Sequence, residues 1–465
     1  MKRLFLQLLA GSMLMACGNS QQPPPAPSQQ TAAPAPAPIE RLTITKDSVV
    51  SITTLADANQ SYSIYYPAKA AKPENCAILV CFDPHGDGRL PIDKYRKWAN
   101  KFGVAIAGSN ASRNGLSAAD GQQIAGNMIA DISSRLGFDK KNITLCGFSG
   151  GAKVAINALD GNPDISNLIY AGAVTQLSNS RPINILGFAG NQDMNYTDLL
   201  QFAASVPGST LIEFNGKHEW PDVQTFENAF YWLLLEGYSQ HTLAADSNII
   251  NDYINYSKEQ ILLAQKNGDL LKAHQYADNA YGLLHSINPQ GVSFSSYCQQ
   301  IAISISAMPA YKKAVDQKDQ TLQKEAGEKQ VIQQAFQNQG PDWWAKVING
   351  YKASTSPSDK RLLGFISLAC FSYSNQMLQQ HNLDGAERIL AIYEMCDPGN
   401  TDQLYFHAIL YAQKNNNAMA LKYLQKAVSN GFNDINKMDA EQAFIQLRND
   451  PSYSQIVASL KKVSR

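Results

Sequence analysis

The chain has no surplus of charge of either sign: 39 Lys and Arg residues balance 39 Asp and Glu residues, and no basic stripe breaks the pattern. A protein that grips nucleic acid through its phosphates needs such a stripe, so nucleic acid is not an expected partner. The chain also has no C-x-x-C pair and no Cys/His spacing that would hold zinc. Of the cysteines beyond Cys17, namely Cys76, Cys81, Cys146, Cys298, Cys370 and Cys396, the pair Cys81 and Cys146 falls inside predicted strands and reads as buried thiols. The apolar run from Leu4 to Met15 is too short to span a membrane.

What is present begins with Lys2 and Arg3 ahead of that run, the pattern of a targeting leader over residues 1–16. It ends in Leu14-Met15-Ala16-Cys17, which resembles a bacterial lipobox. The resemblance implies cleavage before Cys17 and lipidation of its thiol and amine. The expected location is the bacterial cell envelope, at the outer membrane facing the periplasm, where disulfides are permitted. No acidic cluster follows Cys17 to signal surface export. Residues 17–40 are dominated by Pro, Ala, Gln and Ser, which cannot build a core and read as an extended tether.

The most informative stretch is Gly147-Phe148-Ser149-Gly150-Gly151. It fits G-x-S-x-G, and its flanks fit a strand that turns sharply into a helix. Before it, residues 142–146 form a short apolar run. After it, residues 152–159 open a helix. Such a turn leaves no room for side chains beside the nucleophile, and it aims the first helical amides at whatever reacts there. A serine needs a base, and the base needs an orienting group. Asp193 follows the predicted strand 183–189, and His218 follows the predicted strand 210–214, so the order is Ser, Asp, His. The rival acids Asp198 and Asp222 read as helix-start residues, and the next histidine, His241, falls beyond the closing helix. One oxyanion amide is expected at Gly150. The other is expected at Gly86 or Asp87, in the loop Asp83-Pro84-His85-Gly86-Asp87-Gly88 after strand 77–82. The alternative for that loop is a plain turn or a cation-binding loop. His85 is expected to organise the loop and not to act as a second base.

On these motifs the stretch from about Ser61 to Gly237 resembles the α/β-hydrolase superfamily. Within it, the pattern is similar to polyhydroxybutyrate-depolymerase-like and feruloyl-esterase-like esterases and to predicted peptidases. One departure is Gly150, where many relatives carry a larger residue. The expected fold class is α/β: a doubly wound, mainly parallel sheet without an internal lid over 41–238, followed by an all-α, tetratricopeptide-repeat-like domain over 246–465. Only Thr175 to Pro182 separates the strand after the elbow helix from the acid strand, hence no lid. The clearest helix pair is 401–414 with 418–430. Ala408, Tyr411, Ala420, Leu424 and Ala427 stand at its small and large positions, and weaker pairs meet at 267–269 and 382–386. Trp343-Trp344 reads as a helix-interface pair more readily than as a binding platform.

The expected activity is that of a membrane-tethered serine hydrolase acting on an ester or acyl substrate, whether small or macromolecular, with no cofactor. A serine peptidase with the same triad remains open. So does an interaction protein whose repeats bind a protein partner while the hydrolase domain is secondary or inactive.

Overall fold

The strands of the chain are short runs of β-branched, aromatic and small apolar residues, and they assemble into one sheet. In this computed structural model, which describes residues 40–463 apart from 179, 180 and 288, they are β1 (Val49–Thr53), β2 (Ser61–Tyr65), β3 (Ile78–Phe82), β4 (Ala105–Ser109), β5 (Ile143–Phe148), β6 (Asn167–Ala171), β7 (Asn184–Gly190) and β8 (Thr210–Phe214). The leader over 1–16 and the lipidation candidate Cys17 lie outside the described residues. The sheet order is β1-β2-β4-β3-β5-β6-β7-β8. Strands β1 and β2 pair antiparallel, as do β2 and β4, and every later pair is parallel. Five helices interleave with the strands: α1 (Arg89–Phe102), α2 (Ala118–Ser134), α3 (Gly150–Ala158), α4 (Tyr196–Ser205) and α5 (Glu227–Ser239). This is the expected α/β-hydrolase-like layout. Residues 172–183, between β6 and β7, contain no helix or strand among those described.

Alternation along each strand divides the core between two faces. Leu79, Cys81 and Ile106 pack with Tyr95 and Trp98 of α1 and Phe230 of α5. Ile78, Val80 and Phe82 pack with Met128 and Ile129 of α2 and Ala152 and Ala155 of α3. Cys81 and Cys146 stand opposite each other in the β3–β5 register, both fully buried and free, as the sequence suggests.

Beyond α5 the described chain is helical: α6 (Ser247–Lys266), α7 (Leu270–Leu284), α8 (Pro289–Ala307), α9 (Pro309–Asn338), α10 (Pro341–Ala353), α11 (Pro357–Gln379), α12 (Leu383–Cys396), α13 (Thr401–Gln413), α14 (Asn417–Ser429), α15 (Ile435–Ala440) and α16 (Pro451–Val463). Among the described residues no helix is long and apolar enough to cross a membrane. Arg41–Arg465 form one compact unit, and its apolar core runs without a break across residues 239–246. Leu186, Ile212, Tyr231 and Trp232 on the sheet side share a cluster with Ile250, Tyr253, Ile261 and Leu284 of α6 and α7. Each such side chain is worth roughly 1.5–3 kcal/mol when removed from water. Stripping α6 and α7 away would therefore cost an amount comparable with the whole stability of a domain, about 5–15 kcal/mol.

Three helix turns in this region share one construction. Gly268, His381 and Asn415 each take a left-handed conformation, at φ +70, +53 and +59. The next residue, Asp269, Asn382 or Asn416, caps the following helix by accepting from the amide three positions on. Trp344 is buried against Phe336, and Trp343 packs edge-on beside it, so the tryptophan pair lies in a helix interface.

Candidate active site

Three loops meet at the C-terminal edge of the sheet, where open α/β sheets place their ligands. The first is the turn from β5 into α3. Ser149 sits there at φ 52 and ψ −123, a conformation that side-chain-bearing residues rarely adopt. Its amide donates to Ala171 O at 2.9 Å, which ties the turn to β6. The two outer glycines are required by space. A Cβ on Gly147 would stand 2.2 Å from Gly151 O, and one on Gly151 would stand 1.9 Å from Phe82 O. Helix α3 can start only because the backbone passes this close to β3.

The second loop, 191–195, follows β7 and carries Asp193, whose side chain is almost fully buried. Its Oδ1 accepts from the Asn195 amide at 2.9 Å, and Asn195 Nδ2 in turn donates to Gly172 O at 2.7 Å. The third loop follows β8 and carries His218, which packs against Phe148 with ring centroids 4.8 Å apart. His218 Nδ1 stands 3.0 Å from both Asp193 carboxylate oxygens, and Nε2 stands 2.9 Å from Ser149 Oγ. Ser149, His218 and Asp193 thus form one continuous hydrogen-bond chain. Asp198 lies in the first turn of α4, and Asp222 accepts from the amides of Gln224 and Thr225, so both serve helix and turn starts.

Gly150 is the first residue of α3, with its amide at the free end of the helix next to Ser149. Gly86 and Asp87 lie between β3 and α1. The Gly86 amide donates to Asp83 O at 3.3 Å and is turned into its own loop. The Asp87 carboxylate accepts from the amides of Arg89 and Leu90 and caps α1. His85 organises this loop. Its amide donates to Asp83 Oδ1 at 2.8 Å, it bridges to Arg113, and its ring faces solvent, 73% exposed. The Asp83 carboxylate beside the ring, through a hydrogen bond and through its charge, raises the His85 pKa above its ordinary value.

Two side chains near the site escaped the sequence reading. Trp220 Nε1 donates to Asp83 Oδ2 at 2.8 Å, joining the loop after β3 to the loop that carries His218. Burial pushes the Asp83 carboxyl up, but hydrogen bonds from the His85 side chain, Trp220 and the His85 amide hold it below the usual value. Asn114 Oδ1 lies 2.1 Å from where a Gly150 Cβ would be, so its exposed side chain fills the place left by the missing larger residue. The only sequence signal for Asn114 is the absence of a side chain at Gly150. Among the described residues no cluster of His, Cys, Asp and Glu could hold a metal ion.

No protein-family model matches the chain, and no curated protein does. Solved structures with partial similarity include Est1E from Butyrivibrio proteoclasticus, at 13% identity over 40% of this chain and 98% of that one, with a TM-score of 0.33. A carboxylesterase from Mesorhizobium loti matches at 14% identity over 39% and 97% of the two chains, with a TM-score of 0.32. The propionate-bound esterase Est2 of the Planctomycetes species Thermogutta terrifontis matches at 14% identity over 43% and 96%, with a TM-score of 0.34.

Proposed function

We propose that the chain is a serine hydrolase that cleaves a carboxylic ester through an acyl-enzyme. The observation that carries this reading is the unbroken chain from Ser149 Oγ through His218 to Asp193, with the serine held in a strained turn at a helix start. An ionised Asp193 can only accept, so His218 Nδ1 carries the proton and Nε2 is free to take one from Ser149. Ser149 Oγ attacks the acyl carbon as its proton passes to Nε2. The ester C–O bond breaks, and the alcohol leaves with that proton. Water, deprotonated by the same nitrogen, then releases the acid and regenerates the serine. The developing oxyanion is assigned to the Gly150 amide and, because the Gly86 amide is already engaged, to the amide of Asp87.

A fluorophosphonate should label Ser149 alone, and Ser149→Ala should lower turnover by about 10⁴-fold or more. Labelling at another serine, with Ser149 untouched, rejects the reading. Chromogenic esters of graded acyl length, run beside aminoacyl amides, then distinguish an esterase from a peptidase of the same triad. An unlabelled, inactive protein leaves the interaction-protein reading.

The tether belongs to the same proposal. Cys17, lipidated, would hold the enzyme at the envelope, and Cys17→Ser should release it from the membrane fraction. Retention there rejects Cys17 as the anchor. The repeat-like reading of the helices is supported by the left-handed turn residues His381 and Asn415, which stand 34 positions apart, the tetratricopeptide period. Such an array would suit a macromolecular substrate or protein partner.

A further inference from the structure

The loop that carries Asp193 is held from outside the sheet. Arg361 of α11 reaches it with one arm of its guanidinium: Nη1 donates to Asn191 O at 2.5 Å, two residues before Asp193. The other arm, Nε and Nη2, forks onto Glu325 Oε2 of α9 at 2.9 and 2.5 Å. Lys329, one turn along α9, stands 3.2 Å from Glu325 Oε1 and donates to Met194 O at 3.4 Å. Arg361 also lies over the ring of Tyr196, with its central carbon 4.6 Å from the centroid. At Gly364 of α11, an added Cβ would meet Met194 at 3.3 Å, so the helix rests directly on the loop. Arg361 and Glu325 are only 4% and 1% exposed.

A buried ion pair is a poor source of stability, because desolvation offsets the attraction. What a planar, five-donor guanidinium supplies is geometry: it can hold a carboxylate and a carbonyl at once in fixed directions. Here one of those directions fixes the chain immediately before Asp193. From the other side, the same turn is fixed by the Asn191 and Gln192 amides, which donate to Phe214 O and Gly216 O at 2.8 and 2.9 Å, in the segment leading to His218. We infer that Arg361, braced by Glu325, is a positioning residue for the proposed catalytic acid, and that α9 and α11 are part of the hydrolytic apparatus. The inference rests on the triad reading. A shift of this turn by a fraction of an ångström would misalign the His218 imidazole, whose Nδ1 is held by the Asp193 carboxylate.

The test separates positioning from stability. In the full-length chain, the double variant Glu325→Leu/Arg361→Met removes the buried pair together and keeps the volume, and Lys329, which is partly exposed, can turn to solvent, so the protein should stay folded with its thermal midpoint lowered by only a few degrees. The bond to Asn191 O is lost. The expected result is a fall in kcat of at least about 10-fold per fluorophosphonate-titrated site, with KM for a small ester unchanged. The low-field proton signal of the His218–Asp193 hydrogen bond should shift or vanish. A stable double variant with unaltered kcat and unaltered signal overturns the inference. If the double variant does not fold, Arg361→Lys decides, since it keeps the charge beside Glu325 but has no fork to reach both partners. Its kcat should fall at unchanged KM, and an unaltered kcat overturns the inference. Absence of Ser149 labelling in the unaltered protein would instead reject the triad reading.

Discussion

The Trp220 indole and the Asp83 carboxylate are joined across the site, Nε1 to Oδ2 at 2.8 Å, so the loop after β3 is tied to the loop carrying His218. Trp220→Phe keeps the ring packing against Phe148 and Tyr95 but leaves a buried carboxylate oxygen without its donor. The expected cost near neutrality is about 1–3 kcal/mol. The pH dependence follows from the depressed Asp83 pKa. Its contribution is present above the unfolded value of 3.8 and is lost as the pH falls through the lower folded value. The gap between the unaltered protein and the variant should therefore be largest near neutrality and close in acid. Denaturation midpoints at both conditions check this, and an equal gap at both would mean that the carboxylate–indole bond contributes nothing.

The elbow glycines make unequal demands. Gly151→Ala would put a Cβ 1.9 Å from the backbone oxygen of Phe82, which cannot move without breaking the β3–β5 pairing. The expected result is failure to fold, or a loss of at least about 3 kcal/mol. Gly150→Ala meets only the far end of the Asn114 side chain, which can swing away. Its stability should stay within about 1 kcal/mol of the unaltered protein, aided by alanine's helix preference. Soluble yield and urea midpoints of the two variants test the contrast. Equal damage from both would mean that Asn114 is fixed in place.

Most of this site was legible because its elements are local. The apolar run before Gly147, the small residues around Ser149, and the acid and histidine at the ends of later strands all follow from strand and turn chemistry. The start of the closing helix was less legible. The amphipathic stretch from Asp222 to Glu236 suggests a helix opening at 222, but Asp222 holds a turn and α5 begins at Glu227. The long-range partners of Asp83, Trp220, Asn114 and Arg361 were not legible. Each acts on a partner far along the chain, and Arg361 bonds the oxygen of Asn191 from 170 residues away. Nothing in the periodicity of α11 distinguishes that arginine from a solvated one.

Orientation of His218 by Asp193 sets a third expectation. Asp193→Asn would replace an acceptor-only group with one that can donate, favouring the wrong imidazole tautomer. Turnover should fall about 10³- to 10⁴-fold with the fold intact. Asp198→Asn, in the first turn of α4, removes only a helix-start charge and should keep activity within about two-fold. Steady-state rates with circular dichroism spectra decide, and the reverse ranking of the two variants would move the acid assignment to Asp198.

The helical region carries its own acid-sensitive point. His407 of α13 is stacked on Tyr423 of α14, with centroids 4.6 Å apart, and Tyr411 continues the stack. Its side chain is 7% exposed. Burial pushes its pKa down to about 4. The charge of Glu387 pulls it up and that of Lys426 pushes it further down, but burial dominates. As the pH falls, the unfolded chain takes the proton first, near its ordinary value of 6.5, while the folded chain resists until about 4. Stability is therefore fully present above 6.5 and drains away between those values. The total loss is up to about 3 kcal/mol, at 1.36 kcal/mol per unit. His407→Phe keeps a ring in the stack and removes the titration. Denaturant midpoints followed from neutrality to about pH 4 should fall less steeply for the variant, by an amount approaching that loss. Parallel curves for the two proteins would show that His407 is already protonated in the folded state or is solvated in it, and would remove it as the source of acid sensitivity.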